Sequence, residues 1–95
     1  MLRAAVGRDN ENPMAWLQLG MIYDREGDRA RASLAMAESR NLEGNAKLAL
    51  ASARQAMAGI PSGTPDYLRA QDIAMVSQAE LDKDKKKKKG KNDGE

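Results

Sequence analysis

Turn-forming residues recur at a fixed interval along this chain. Asn10, Gly27, Gly44 and Pro61 lie 17 residues apart, three times in succession. Asn, Gly and Pro end helices and form turns. The segments between them are rich in Ala, Leu, Met and Arg, which favour helices. Each period therefore predicts one helix followed by one turn, and the chain is expected to fold as a series of helices.

Local signals predict where four helices begin and end. Asn12 is suited to cap the first helix, and Pro13 fits its first position, where a missing N–H costs nothing. Gly27-Asp28 and Gly44-Asn45 each end one helix and cap the next. The expected helices begin at Pro13, at about Arg29, at about Ala46 and after Thr64, and the last three end near Asn41, Ala58 and Leu81.

The helical period also predicts which residues face the core. In the first helix they are Trp16, Leu19, Gly20 and Tyr23. The third helix is dense in Ala, which lets helix axes approach closely. The expected inward residues are Ala32, Ala35, Met36 and Ser39 in the second helix and Leu68, Met75, Val76 and Ala79 in the fourth. The residues expected to face water are Arg29, Arg31, Glu38, Arg40, Arg69, Gln78 and Glu80.

Composition excludes several kinds of chemistry. The chain has no Cys and no His, so it lacks thiolate ligands, the commonest zinc ligand and the commonest general base. A Ser-His-Asp triad cannot be built from it. The acidic residues Asp24, Glu26 and Asp28 lack the spacing of a calcium loop. The sequence therefore predicts a chain that is not itself an enzyme and holds no metal or cofactor.

Charge is divided unevenly between body and tail. The net charge is +2, yet residues 82–95 are rich in Lys and residues 1–81 are close to neutral, so the basic character lies in the tail. We expect residues 82–95 to be a disordered, solubilising tail. Without a basic patch on the body, no specific nucleic-acid binding is expected. No apolar run reaches the roughly 20 residues of a membrane span.

Residues 13–46 resemble one tetratricopeptide repeat, a helix–turn–helix unit of 34 residues. The matching residues are Trp16, Leu19, Gly20, Tyr23, Ala32 and Met36. The chain departs from the repeat at Ser39 and Gly44, where the pattern prefers Ala and Pro. Extending the register backward places Leu2 and Ala5 on inward positions, so residues 1–9 are expected to be the remnant of a preceding helix. The resemblance implies an all-α fold for residues 10–81, a short right-handed α-solenoid of antiparallel helix hairpins.

A narrower resemblance covers residues 13–76. Its most specific part is Gly63-Thr64-Pro65-Asp66-Tyr67-Leu68-Arg69-Ala70-Gln71-Asp72-Ile73. This segment is similar to the C-terminal helical-repeat domain of BepA-like bacterial periplasmic zinc metalloproteases, which carry an HExxH motif and usually have Trp in place of Tyr67. The resemblance implies a periplasmic or cell-envelope location and a partner that is a client, an assembly factor or the protease domain. The chain has no HExxH, so no catalytic residue carries over.

The predicted function is therefore protein–protein interaction. The alternative is a tetratricopeptide adaptor from an unrelated cytoplasmic or envelope assembly protein, and either is expected to be a monomer or to self-associate weakly. The first helix of each pair would line a concave groove, apolar with a charged rim. The candidate groove residues are Met14, Leu17, Met21, Asp24 and Arg25.

Overall fold

Four α-helices follow one another in the computed structural model, which describes the backbone of residues 12–93 and the side chains of residues 12–84. They are α1 (Pro13–Arg25), α2 (Arg29–Leu42), α3 (Ala46–Gly59) and α4 (Pro65–Asp93). The described residues contain no strand, which confirms the all-α prediction for this part of the chain. All four predicted starts are confirmed, and the predicted ends of α2 and α3 differ by one residue. The predicted helix remnant at 1–9 lies outside the described residues.

The first two turns have the same structure. Gly27 and Gly44 adopt left-handed backbone conformations, with φ of +82° and +77°. The next residue donates its backbone N–H to a carbonyl five residues earlier, Asp28 to Tyr23 and Asn45 to Arg40, each at 2.9 Å. This bonding closes the end of the preceding helix. The 17-residue period is thus one repeated structural unit at these two turns.

Side chains cap the start of every helix. Asp28 accepts a hydrogen bond from the backbone N–H of Arg31 at 3.1 Å, and Asn45 accepts one from Leu48 at 3.2 Å. Asn12 caps α1 in the same way by accepting from Met14 at 2.9 Å. The Thr64 hydroxyl accepts from Tyr67 at 3.2 Å. These side chains satisfy N–H groups that have no partner within the helix.

Helix α2 lies at the centre of the packing. Each helix packs on the next one along the chain, and α2 also packs on α4, whereas no Cα atom of α1 lies within 8 Å of one in α3. A Cβ atom at Gly20 would lie 3.4 Å from both the Ala32 carbonyl oxygen and the Ala35 Cβ. A Cβ atom at Gly59 would lie 2.8 Å from that of Ala30. Glycine therefore sets the close approach of α1 and α3 to α2.

The core consists of two clusters that share α2. The smaller cluster joins α1 to α2 and the larger one joins α2, α3 and α4. The small cluster contains Ala15, Trp16, Leu19 and Ala35, with Tyr23 packed against it; the large one contains Leu34, Ala37, Ala49, Ala53, Ala56, Ile60, Ala70 and Ile73.

The structure corrects the predicted outer face of α2. Glu38 is buried and Arg31 is half-buried, although both were expected to face water. Ala35 and Ser39 are buried as expected, while Ala32 and Met36 are only half-buried. The prediction of a single inward stripe assumes that a helix is packed on one side only. Helix α2 is packed against three helices, so residues on several faces are covered.

The predicted inward face of α4 is wrong. Leu68, Met75, Val76 and Ala79 are exposed, and the helix instead buries Ala70, Ile73 and Ser77. These buried residues also follow the helical spacing of i, i+3 and i+7. The face that meets the Ala-rich side of α2 and α3 is the one with smaller side chains, because two small surfaces allow a closer approach.

Helix α4 also extends further than the sequence predicted. It continues to Asp93, whereas its end was expected near Leu81 and residues 82–95 were expected to be disordered. Residues 82–93 contain no Pro and are mostly Lys and Asp. Lys is among the favourable helix formers, and each residue added to an existing helix gains a hydrogen bond. The helical backbone therefore continues beyond the packed part of α4.

Two buried serines are predicted to reduce stability. The hydroxyl oxygens of Ser39 and Ser77 are buried and have no hydrogen-bond partner among the described residues. A buried polar group without a partner costs about 1–3 kcal/mol. We therefore expect Ser39→Ala and Ser77→Ala each to raise the free energy of unfolding by about 1 kcal/mol, as measured by urea denaturation. A decrease in stability for both variants would mean that the hydroxyls are hydrogen-bonded in solution.

Trp16 is predicted to be a main contributor to the smaller cluster. It is buried between α1 and α2, so Trp16→Ala removes a large apolar side chain and leaves a cavity. We expect a loss of about 3 kcal/mol or more in the free energy of unfolding. The matched control is Leu48→Ala on α3, because Leu48 is exposed. A similar small effect of both substitutions would contradict the burial of Trp16.

Candidate protein-binding groove

An open groove lies where α1 and α3 flank α2 with their backbones apart. Its volume is about 420 Å³. Because α1 and α3 both pack on α2, the side chains of α2 lie between them and form the floor. The residues that line the groove are Gly20, Met21 and Asp24 from α1, Arg29, Ala32, Ser33 and Met36 from α2, and Ser52 and Gln55 from α3.

The groove combines an apolar surface with hydrogen-bonding groups. Met21 and Met36 supply flexible thioether side chains, which adapt to differently shaped apolar ligands. Ser33, Ser52 and Gln55 supply hydroxyl and amide groups that can both donate and accept. The small residues on the floor keep the groove open. This arrangement suits an apolar side chain together with the polar backbone that carries it.

Two unpaired charges stand at the groove. Asp24 and Arg29 both line it, and neither forms an ion pair with any described side chain. Each is exposed and can pair with an opposite charge on a bound molecule. The groove therefore presents one anionic and one cationic group beside its apolar surface.

The structure brings together only part of the groove that the sequence predicted. Met21 and Asp24 line it, whereas Met14, Leu17 and Arg25 do not. Met14 and Arg25 lie exposed on α1, and Leu17 is half-buried. Met14, Gln18, Met21 and Arg25 share one outer face of α1, because they follow the helical spacing. Only Met21, at the edge of this face, reaches the groove, and Met14 and Arg25 lie outside it.

The residues that α2 and α3 contribute were missed by the sequence analysis. Met36 was assigned to the core, and Ser33, Ser52 and Gln55 were not singled out. Polar residues between helix-forming residues also occur on ordinary helix surfaces, so the sequence does not show that these residues line a groove. The separation of α1 from α3 creates the site, and this separation is a property of the packing of helices.

Asp66, Arg69 and Asp72 lie three residues apart on α4 and form no ion pair with one another. Asp66 instead accepts a hydrogen bond from the Nε of Arg31 on α2 at 2.8 Å. Asp28 binds the same guanidinium at 3.0 Å. The hydrogen bond that Arg31 donates to Asp66, followed by its hydrogen bond to Asp28 and the negative charge of Asp28, favours the charged guanidinium and raises the pKa of Arg31. Arg31, bound by both aspartates, thus joins the starts of α2 and α4.

Arg69 joins three helices instead of pairing along its own. It forms an ion pair with the buried Glu38 of α2. Its guanidinium carbon also lies 5.3 Å from the centre of the Trp16 ring on α1, a distance at which a cation is attracted to the ring face. Arg69 therefore connects α4 to both α2 and α1, and Trp16 acts as a packing residue, as the spacing of the sequence indicated.

The described residues contain neither a candidate metal site nor a helix suited to span a membrane. No group of three or more acidic residues there is placed to hold a metal ion. Asp28, one of the three clustered acids, caps α2 and binds Arg31. Within the same part of the chain, no helix has the length and apolar character needed to cross a membrane.

The chain was compared with known proteins at three levels. No protein-family model, no curated protein and no solved structure matches it. The resemblance to tetratricopeptide repeats, and to the domain of the metalloproteases, therefore stays a prediction from the residues quoted above.

Proposed function

We propose that this chain is a non-catalytic protein-interaction domain that binds a segment of a partner protein in the groove between α1 and α3. The observation that carries this proposal is an open apolar groove with two charged residues, Asp24 and Arg29, that form no ion pair with any described side chain. An apolar surface lined by a few well-placed polar groups is the usual composition of a binding site. The charges add orientation and specificity.

The size of the groove defines the kind of segment. Binding clefts typically measure about 300–1,000 Å³, and this one lies near the lower limit at about 420 Å³. A cleft of this volume takes only a few side chains, so we infer that the bound segment is extended and inserts a small number of apolar side chains. A basic residue beside the apolar one meets Asp24, and an acidic residue meets Arg29.

The wider context is a proposal from sequence resemblance. In it, the helices form one end of a right-handed tetratricopeptide solenoid, in the C-terminal region of an envelope zinc metalloprotease. The bound segment then belongs to a client, an assembly factor or the protease domain. An HExxH motif and a signal peptide encoded upstream of Met1 would support this context. A natural start at Met1 would favour the alternative, an adaptor from an unrelated assembly protein.

Selection from a phage-displayed library of random peptides tests the groove. We expect enriched peptides to carry a large apolar residue flanked by opposite charges. Met21→Glu should reduce their affinity at least tenfold, because it places a carboxylate on the apolar surface. The matched control is Met14→Glu, since both methionines are 59% exposed on α1 and only Met21 lines the groove.

Arg29→Glu provides a second readout of the same groove. It should weaken the selected peptides that carry an acidic residue and spare those that do not. Circular dichroism should show unchanged helicity for each variant, because these side chains are exposed. Failure to enrich any peptide, or equal binding to wild type and Met21→Glu, would reject the groove as the binding site.

The Lys-rich end of α4 provides a separate test of the binding mode. Deleting residues 83–95 should leave the affinity for the selected peptides unchanged, because the described lining of the groove comes from α1, α2 and α3. The measurement is a titration at low and high salt. A loss of binding on deletion, together with a steep fall in affinity with salt, would instead indicate electrostatic attraction to the lysines.

A further inference from the structure

The outward faces of α1 and α4 carry large apolar side chains that no other described helix covers. On α4, Leu68 is 56% exposed and Met75 is 66% exposed. On α1, Met14 and Met21 are each 59% exposed. These are the first and last helices of the described series, so each has one face that no neighbouring helix covers.

The two faces have the same spacing. The outer face of α1 consists of Met14, Gln18, Met21 and Arg25, and the outer face of α4 consists of Leu68, Asp72, Met75 and Ala79. Each set follows i, i+4, i+7 and i+11, which places its members along one side of a helix. All eight residues are exposed.

The two faces also carry opposite charges. Arg25 is the charged residue of the α1 face and Asp72 that of the α4 face. Neither forms an ion pair with a described side chain. When the two faces are laid together antiparallel, Met14 lies beside Ala79, Gln18 beside Met75, and Arg25 within one helical turn of Asp72. An arginine side chain is long enough to reach a carboxylate at that distance.

We propose that the α4 face of one copy of this chain binds the α1 face of a second copy. This contact repeats between molecules the packing of consecutive helices that occurs within each molecule. Because the two surfaces differ, the contact is heterologous, and it leaves a free α1 face at one end and a free α4 face at the other. Association therefore continues into open chains of molecules and does not stop at a dimer.

The contact is expected to be weak. One helix face against another is a small interface, at or below the roughly 1,200 Å² that marks the lower limit for stable complexes. Sedimentation velocity of the full chain should therefore show a mass that rises continuously with protein concentration up to about 1 mM. A monomer throughout this range, or a plateau at the dimer, would overturn the proposal.

Mixing two variants tests the head-to-tail arrangement. Met14→Glu disables the α1 face and Met75→Glu disables the α4 face, so each variant alone should stay monomeric. Their mixture should form a one-to-one dimer, because the intact α4 face of the first binds the intact α1 face of the second. If Met14→Glu alone still dimerises while Met75→Glu does not, two α4 faces bind each other and the proposal is wrong.

Charge exchange tests the pairing of Arg25 with Asp72. Arg25→Asp and Asp72→Arg should each weaken association at least fivefold, and the double variant should restore it. The control is Leu48→Glu, which changes an exposed leucine of α3 and should leave association unchanged. Binding of one copy in the groove of another would not explain a recovery in the double variant, because neither Arg25 nor Asp72 lines the groove. No recovery in the double variant, or association that persists in both single variants, would overturn the assigned register.

Discussion

The close packing around α2 depends on side chains that occupy almost no space. Gly20 and Gly59 allow α1 and α3 to approach α2 at distances that leave little or no room for a Cβ atom. Ala35 faces α1, and Ala37 joins the cluster shared with α3 and α4. Because α2 holds both neighbours closely, α1 and α3 are fixed on it with no Cα atom of one within 8 Å of the other. The groove is the space that this arrangement leaves between them.

Charged groups support the same central helix. Arg31 at the start of α2 binds both its own cap Asp28 and Asp66 at the start of α4. Further along α2, the buried Glu38 pairs with Arg69, which lies over Trp16. A buried charge requires a partner, since an unpaired one is strongly destabilising. These contacts therefore bind α4 to α2 at two positions, and they leave the groove residues free for other interactions.

The sequence predicted the elements well and the burial of side chains less well. Helix starts were predictable because Asn12, Asp28 and Asn45 act through hydrogen bonds to residues two or three positions away. The buried face of α4 was not predictable, because two apolar stripes compete on it and only the shape of the neighbouring helices selects one. The groove falls between these cases. Met21 and Asp24 were identified because α1 resembles the first helix of a repeat, whereas the contributions of α2 and α3 depend on helix packing.

The two matching glycine turns make the number of helices easy to change. Each turn uses only its own residues, from the carbonyl five positions before the capping residue to the N–H three positions after it. A duplicated segment that runs from one such turn to the next would carry both of its junctions with it. Insertion of one segment would reverse the direction of every later helix, while insertion of two would preserve it. Lengthening in pairs is therefore the change that keeps the ends of the molecule, and whatever they bind, in their original orientation.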